Sequence, residues 1–595
     1  MWAVVCALLI VGVVIFIFNL IFLVGMVSGI SSAGKGETVA VRNNTFLTVD
    51  LAKPFNERSP NGLMTFMGES QSQGLCDVVN AITAAADDSH VKGILLRNGA
   101  VAGLSWGSAE ELREALLRFH ESGKPIVAYG DSYSQSGYYL SSVADRICVH
   151  PSGMIDLRGI GSQVMYYKDL LDKLDVKMQL FRPESCSYKS AGEVYTMNHM
   201  SEANREQIKV YINSIWDHVA HGLSQSRHLS VADINRLADN LQACLPQDAL
   251  SAGVVDTLCF EADVKRLLRD QYGAKHLLSA SKYFKQLPAS QAKEAVAVVY
   301  AEGNVLDGSG NGMETAVYGR DIVHALDAAA KDDNVKAIVM RVNSPGGAVT
   351  ASESMTAAVL RAKEKKPVVV SMSDLAASAG YEISCNATCI VAQPTTITGS
   401  IGVFATLPNV GGLLKHKLGL AVDTAQTNRN STGLSVLQPL SPAAMAMLTR
   451  NVEDFYVTFV DRVATGRGLR HSYVDSIARG RVWTGRDALQ NGLVDTLGGL
   501  QLAIRIAADA AGLDEYRVAE YPKEKDTWSQ LMSLTGKEDD EDSRLSAVDK
   551  VKLAWQARQR RAALPEPLGR VERELLNFCN AEGLQARLPY VVISE

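Results

Sequence analysis

The sequence predicts a tandem, duplicated α/β protein behind an N-terminal transmembrane helix. Three observations carry that reading: an uncharged opening run, a long internal repeat, and apolar strand-like runs alternating with amphipathic stretches inside each repeat. At 595 residues the chain exceeds what one hydrophobic core sustains, so more than one domain is required. The net charge of -6 carries no basic excess, which excludes nucleic acid as the expected partner.

The opening run, "WAVVCALLIVGVVIFIFNLIFLVGMVSGI" from Trp2 to Ile30, has no charge and only Asn19 as a strongly polar interior residue. It is long enough to span a bilayer, and it lacks the basic start and short apolar core of a cleaved signal peptide. Residues 1–30 are therefore expected to be an uncleaved anchor, with 31–44 as linker. The nearest positive side chains, Lys35 and Arg42, follow the span, and by charge alone they would place the body in the cytoplasm. The nine cysteines form no CxxC pair, so spacing gives no support for zinc.

The repeat is clearest at "DALSAGVVDTL" (248–258) against "DALQNGLVDTL" (487–497). Upstream, "VKGILLRNGAVAG" matches "VKAIVMRVNSPGG", and "GKPIVAYGDSYSQSGYYLSS" matches "KKPVVVSMSDLAASAGYEIS"; the three pairs in turn are offset by 239, by 244 and, where "SGY" meets "AGY", by 243. Each copy opens on apolar strand-like runs, "TFLTVDL" or "AVAVVYAEG". It continues through a helical stretch and a buried strand to an amphipathic helix such as "ASESMTAAVLRAKEKK" and the strand "PVVVSM". Alternation of this kind implies βαβ units and mostly parallel pairing. Later segments, 201–223 and 441–468, read as long helices beside the sheet or between copies. The first copy is assigned to 45–285, the second to 286–522, and a charged, helical tail to 523–595.

Duplication allows equivalent positions to be compared. Ser378 falls opposite Gln135, and "SPGG" (344–347) falls opposite "AVAG" (100–103), so only the second copy carries a candidate nucleophile with a Gly-Gly loop. Pro345 and the glycines form a turn after the buried strand, able to aim backbone N–H groups at one point. If a helix starts after Ser378, the Ala379 amide points the same way, and two converging amides can hold an oxyanion. A serine needs a base. His416 sits among Lys415 and Lys417 on an amphipathic, solvated stretch and suits the role poorly. A lysine could serve if burial lowers its pKa, but composition selects no particular one.

Several motifs together resemble the long, duplicated form of the signal peptide peptidase A (protease IV) family, membrane-anchored bacterial Ser-Lys peptidases of the Clp protease/crotonase superfamily. They are "RVNSPGG" (341–347), "AASAGYEIS" (376–384), "TITGSIGVF" (396–404), "RVWTGRDALQNGLVDTLG" (481–498), "YYKDLLDKLDV" (166–176) and "YKSAGE" (188–193). The resemblance implies two ClpP/crotonase-like domains, Ser378 as nucleophile and Lys189 as base. It makes Ser400 the lysine's hydrogen-bonding partner, and Gly347, Gly346 and Ala379 the oxyanion donors. Lys189 falls opposite Thr432, so each copy lacks the half-site the other keeps. Ala379 departs from the family's usual glycine after the nucleophile.

The resemblance further implies remnant signal peptides and other apolar peptides as substrates, a homotetramer, no metal or organic cofactor, and a single-pass inner-membrane location with the body periplasmic. That orientation opposes the charge count. Two other readings compete: an acyl-CoA enzyme of the same superfamily, and a catalytically inactive membrane scaffold. Ser378 and the anchor count against the first. Retention of Ser378, Lys189 and Ser400 counts against the second.

Overall fold

The computed structural model describes residues 41–59, 72–100, 103–310 and 315–522, with the backbones of Gln585–Arg587 and Val592–Ser594. The expected anchor over 1–30 and nearly all of the tail lie outside the described residues. Among the described residues no helix is long and apolar enough to cross a membrane.

The first copy runs β1 (Thr45–Asp50), α1 (Leu75–Asp87), β2 (Val91–Asn98), α2 (Trp106–His120), β3 (Ile126–Gly130), α3 (Gln135–Ser141), β4 (Arg146–Val149), β5 (Lys177–Phe181), α4 (Glu202–Arg227), β6 (Thr257–Leu258) and β7 (His276–Ser279). Its sheet has the order β7-β1-β2-β3-β4-β6, and every pairing is parallel.

The second copy runs β8 (Ala295–Glu302), α5 (Gly319–Lys331), β9 (Val335–Ser344), β10 (Gly346–Ala348), α6 (Val349–Lys363), β11 (Val368–Ala377), α7 (Ala379–Glu382), β12 (Cys389–Ala392), β13 (Ile397–Gly399), β14 (Ala405–Asn409), α8 (Pro442–Arg467), β15 (Val482–Thr484), β16 (Thr496–Leu497), α9 (Leu500–Ala510) and β17 (Arg517–Tyr521). Its parallel sheet repeats the order as β17-β8-β9-β11-β12-β16. β13 joins the far end of β11, and β15 adds antiparallel to β13.

The continuous apolar runs follow from this layering. Helices cover both faces of each sheet, so neither side of a central strand meets water. Along β8, Ala297 and Val299 enter one core cluster while Val296 and Val298 enter another on the opposite face. The two long helices start and stop on equivalent signals. The Ser201 and Ser441 side chains accept from the amides of Asn204 and Ala444, and His228 and Gly468 end the helices in the left-handed conformation.

The copies interlock. β5 of the first pairs antiparallel with β14 of the second. Val482 enters the first copy's core, while Phe181 and Cys186 enter the second's. The tyrosines after β3 and β11 make equivalent bonds: Tyr138 Oη donates to the Val254 carbonyl at 2.8 Å and Tyr381 Oη to that of Leu493 at 2.9 Å. They fix the offset at 243 just where Ser378 meets Gln135.

The glycine-rich segment differs from the turn expected for it. β9 extends through Ser344, and Gly346–Ala348 then form the short strand β10, which pairs with Val305 on one side and antiparallel with Gln585–Arg587 on the other. β11 is likewise longer than "VVVSM" suggests, running to Ala377 at the foot of the nucleophile.

Candidate active site

Ser378 sits between the end of β11 and the start of α7 with φ 59° and ψ -118°. A non-glycine residue in that region is strained, and the strain holds the side chain at a sharp strand-to-helix corner. Space for the corner comes from Gly380, where a Cβ would lie 2.8 Å from the Ser344 carbonyl oxygen.

Lys189 arrives from the first copy, in the loop between β5 and α4, and is fully buried. Its Nζ lies 2.7 Å from Ser378 Oγ, 3.0 Å from the Ser400 carbonyl oxygen and 3.0 Å from Ser400 Oγ. A neutral amine has two N–H donors and one lone pair. Donation to the two Ser400 oxygens leaves the lone pair to Ser378. Burial lowers the Lys189 pKa to about 7, opposed only by Cys186, whose own thiol burial pushes up to about 12. At neutral pH that thiol carries a proton, so it adds no charge to hold the ammonium.

The backbone places Lys189 as firmly as the sequence places Ser378. The Tyr188 amide donates to the Arg479 carbonyl, the Arg182 guanidinium donates to the Lys189 carbonyl, and Gln207 from α4 donates to the Tyr188 carbonyl. Ser400 has φ 50°, and its amide donates to the Arg481 carbonyl at 2.7 Å.

Of the three candidate oxyanion donors, the Gly346 amide is engaged, donating to Ser344 Oγ at 3.2 Å. Gly347 lies on β10, paired with Val305 on one side and Ala586 on the other, and Ala379 takes the first position of α7. Gly347 cannot be replaced readily, since a Cβ there would lie 2.1 Å from the Val305 carbonyl oxygen.

His416 lies elsewhere. Its ring is largely exposed and bonds Asp175 Oδ2 at 2.5 Å, whereas Ser378 is buried. Thr432, opposite Lys189 in register, sits on an exposed loop. Gln135 fills the nucleophile's place in the first copy: its Nε2 donates to the Gly159 carbonyl at 3.1 Å, as Ser378 Oγ approaches that of Gly402 at 3.5 Å.

Sequence reasoning missed a buried acidic network beside the site. Arg341, Glu57, Glu111 and Asp374 form it, and the one signal was a charged residue inside the apolar strand "AIVMRV".

A serine on a strained corner after a central parallel strand, within hydrogen-bond reach of a buried amine, is the arrangement of a serine hydrolase. The sequence model for "Peptidase family S49" matches residues 118–275 and again 361–514, once in each copy. Protease 4 of Salmonella typhi is 38% identical over 78% of this chain and 77% of its own length. Protease 4 of Haemophilus influenzae is 32% identical over 96% of this chain and 95% of its own. The chloroplastic serine protease SPPA of Arabidopsis thaliana is 28% identical over 72% and 64%. The chain belongs to peptidase family S49, as a tandem pair of α/β domains, and is a serine protease.

Proposed function

We propose that the protein is a membrane-anchored endopeptidase that degrades remnant signal peptides and other apolar peptides with a Ser378–Lys189 dyad. The observation that carries the dyad is the 2.7 Å contact between Lys189 Nζ and Ser378 Oγ inside a buried site. The apolar run at Trp2–Ile30 supports the anchor, and the family resemblance supports the substrate, a homotetramer and a periplasmic body at the bacterial inner membrane.

Neutral Lys189 takes the hydroxyl proton as Ser378 Oγ attacks the scissile carbonyl carbon. Negative charge moves to the carbonyl oxygen, where the Gly347 and Ala379 amides stabilise it. Collapse breaks the C–N bond, and the Lys189 ammonium returns its proton to the departing amine. Lysine, neutral again, deprotonates a water that hydrolyses the ester. Ser400 orients the amine throughout. With a pKa of about 7, roughly half the lysine is ready to accept a proton at neutral pH.

A peptide would bind extended. The edge of β10 already takes an antiparallel strand, with Gly347 opposite Ala586.

The test compares detergent-solubilised wild type with Ser378→Ala and Lys189→Ala on an apolar peptide. Both variants are expected to lose activity. Equal cleavage by all three would remove the dyad. Loss in Ser378→Ala alone would require another base.

A further inference from the structure

β9 and β11 pair in register from Ile338↔Val368 to Val342↔Met372, and then the register jumps, with Ser344 opposite Ala376. Between those points Ser373, Asp374 and Leu375 bulge out of the ladder. The first copy pairs β2 with β3 from Ile94↔Ile126 to Asn98↔Gly130, the equivalent of Val342↔Met372, and its ladder ends there. The offset between copies is 242 at Ile126 and Val368 but 243 at Tyr138 and Tyr381, so the second copy holds one extra residue here. Bulges next to active sites re-aim side chains.

Each bulge residue is held. Arg341 Nη2 donates to Ser373 Oγ at 3.0 Å, and the Leu375 amide donates to Asn343 Oδ1 at 3.2 Å. Asp374 accepts from Ser108 of the first copy twice, Oδ1 from the amide at 2.7 Å and Oδ2 from Oγ at 2.6 Å, in the first turn of α2. Gly107 lies against the bulge as well, where a Cβ would be 2.8 Å from the Ser373 carbonyl oxygen.

The residues that grip the bulge are gripped by the first copy in turn. Arg341 Nε donates to Glu57 Oε2 at 2.7 Å and Nη2 to Glu111 Oε2 at 2.6 Å, while Asn343 Nδ2 donates to Glu57 Oε1 at 2.9 Å. Arg341 and Glu57 have essentially no exposed side chain and Glu111 about 5%. Arg97, at the matching position of the first copy, is half exposed and pairs with Glu261 across 3.3 Å. An ion cluster buried this deeply is a poor source of stability, since desolvation offsets the attraction, and fixing one geometry is its better-attested use.

We propose that Glu57, Glu111 and Ser108 of the first copy are positioning residues for catalysis. Through Arg341, Asn343 and Asp374 they set the bulge that aims Ser378 and the adjoining Gly346–Gly347 strand. The first copy thus supplies Lys189 and also the clamp that holds the nucleophile's strand. This rests on Ser378 as nucleophile, and a Ser378→Ala protein that still cleaves would fail that reading rather than the clamp.

The experiment measures kcat, KM and the pH profile of full-length Ser108→Ala and Glu57→Gln on an apolar peptide, with thermal unfolding of each. Arg486→Ala, which removes an exposed inter-copy pair with Asp217, is the docking control. A misaimed nucleophile lowers kcat roughly 10- to 100-fold. KM should stay within a factor of two and the acid limb, set by Lys189, should not move. Glu57→Asp should recover part of the kcat lost in Glu57→Gln. Unchanged kcat in folded Ser108→Ala, or losses that match the unfolded fraction and the Arg486→Ala control, would overturn the proposal. If Glu57→Gln fails to fold, Ser108→Ala decides alone, since it leaves both carboxylates in place.

Discussion

Gly480 of the second copy lies against Lys189 of the first so closely that a Cβ on it would sit 2.5 Å from the lysine's own Cβ and 2.6 Å from its backbone nitrogen. Its φ of 78° adds a conformational reason for glycine. Gly480→Ala must push the Lys189 segment away from Ser400 and Ser378. The expected result is a loss of kcat on the order of 10²-fold, with the protein still folded by circular dichroism.

The acid limb of kcat/KM should have a midpoint near 7, because Lys189 must be neutral and its pKa is lowered to about 7 by burial. Below that midpoint the rate should fall tenfold per pH unit. A limb near 10 would mean that the lysine is solvated in the working enzyme.

The same shift makes stability pH-dependent. The unfolded lysine keeps its proton up to about 10.5, while the folded one releases it above about 7. Wild type should therefore gain stability as pH rises from about 7 towards 10.5, by at most about 1.4 kcal/mol per unit, and show no further change from this group below 7. Lys189→Met lacks that slope. Urea unfolding of both proteins at pH 7 and pH 9 should show Lys189→Met ahead at pH 7 and the gap narrowing at pH 9.

Ser400→Ala removes one of two Ser400 oxygens from Lys189 and leaves the carbonyl at 3.0 Å. One hydrogen bond at a buried amine is worth about 1 to 2 kcal/mol, so kcat should fall roughly 5- to 30-fold, far less than in Lys189→Ala. Parallel kinetics of the two variants check this ordering.

Gln585–Arg587 pairs along the β10 edge that an extended substrate would use, with Gly346 opposite Arg587. A chain ending at residue 584 should show a several-fold lower KM with kcat unchanged. Unaltered KM would mean that this edge is open to peptides in solution.

Much of the fold was legible because parallel strands covered on both faces leave continuous apolar runs such as "AVAVVYAE", and because the serine-capped helices begin and end on local signals. The bulge at Ser373–Leu375 was not legible. It depends on Ser108 and Glu57, more than 250 residues away in sequence, and no local pattern reports such partners. Nor was it legible that Ser344 Oγ takes the Gly346 amide.

By itself the sequence determined the duplication, the parallel α/β layering and the divergence of the copies, because periodicity and repeat register are local or internal properties. From residues alone it offered a serine in one copy and many lysines without preference, and family resemblance singled out Lys189. Only the tertiary structure decided that Lys189 is buried 2.7 Å from Ser378, with Ser400 holding its other face. A lysine's pKa falls only when the fold strips its water away, and that burial is made by two domains closing on each other.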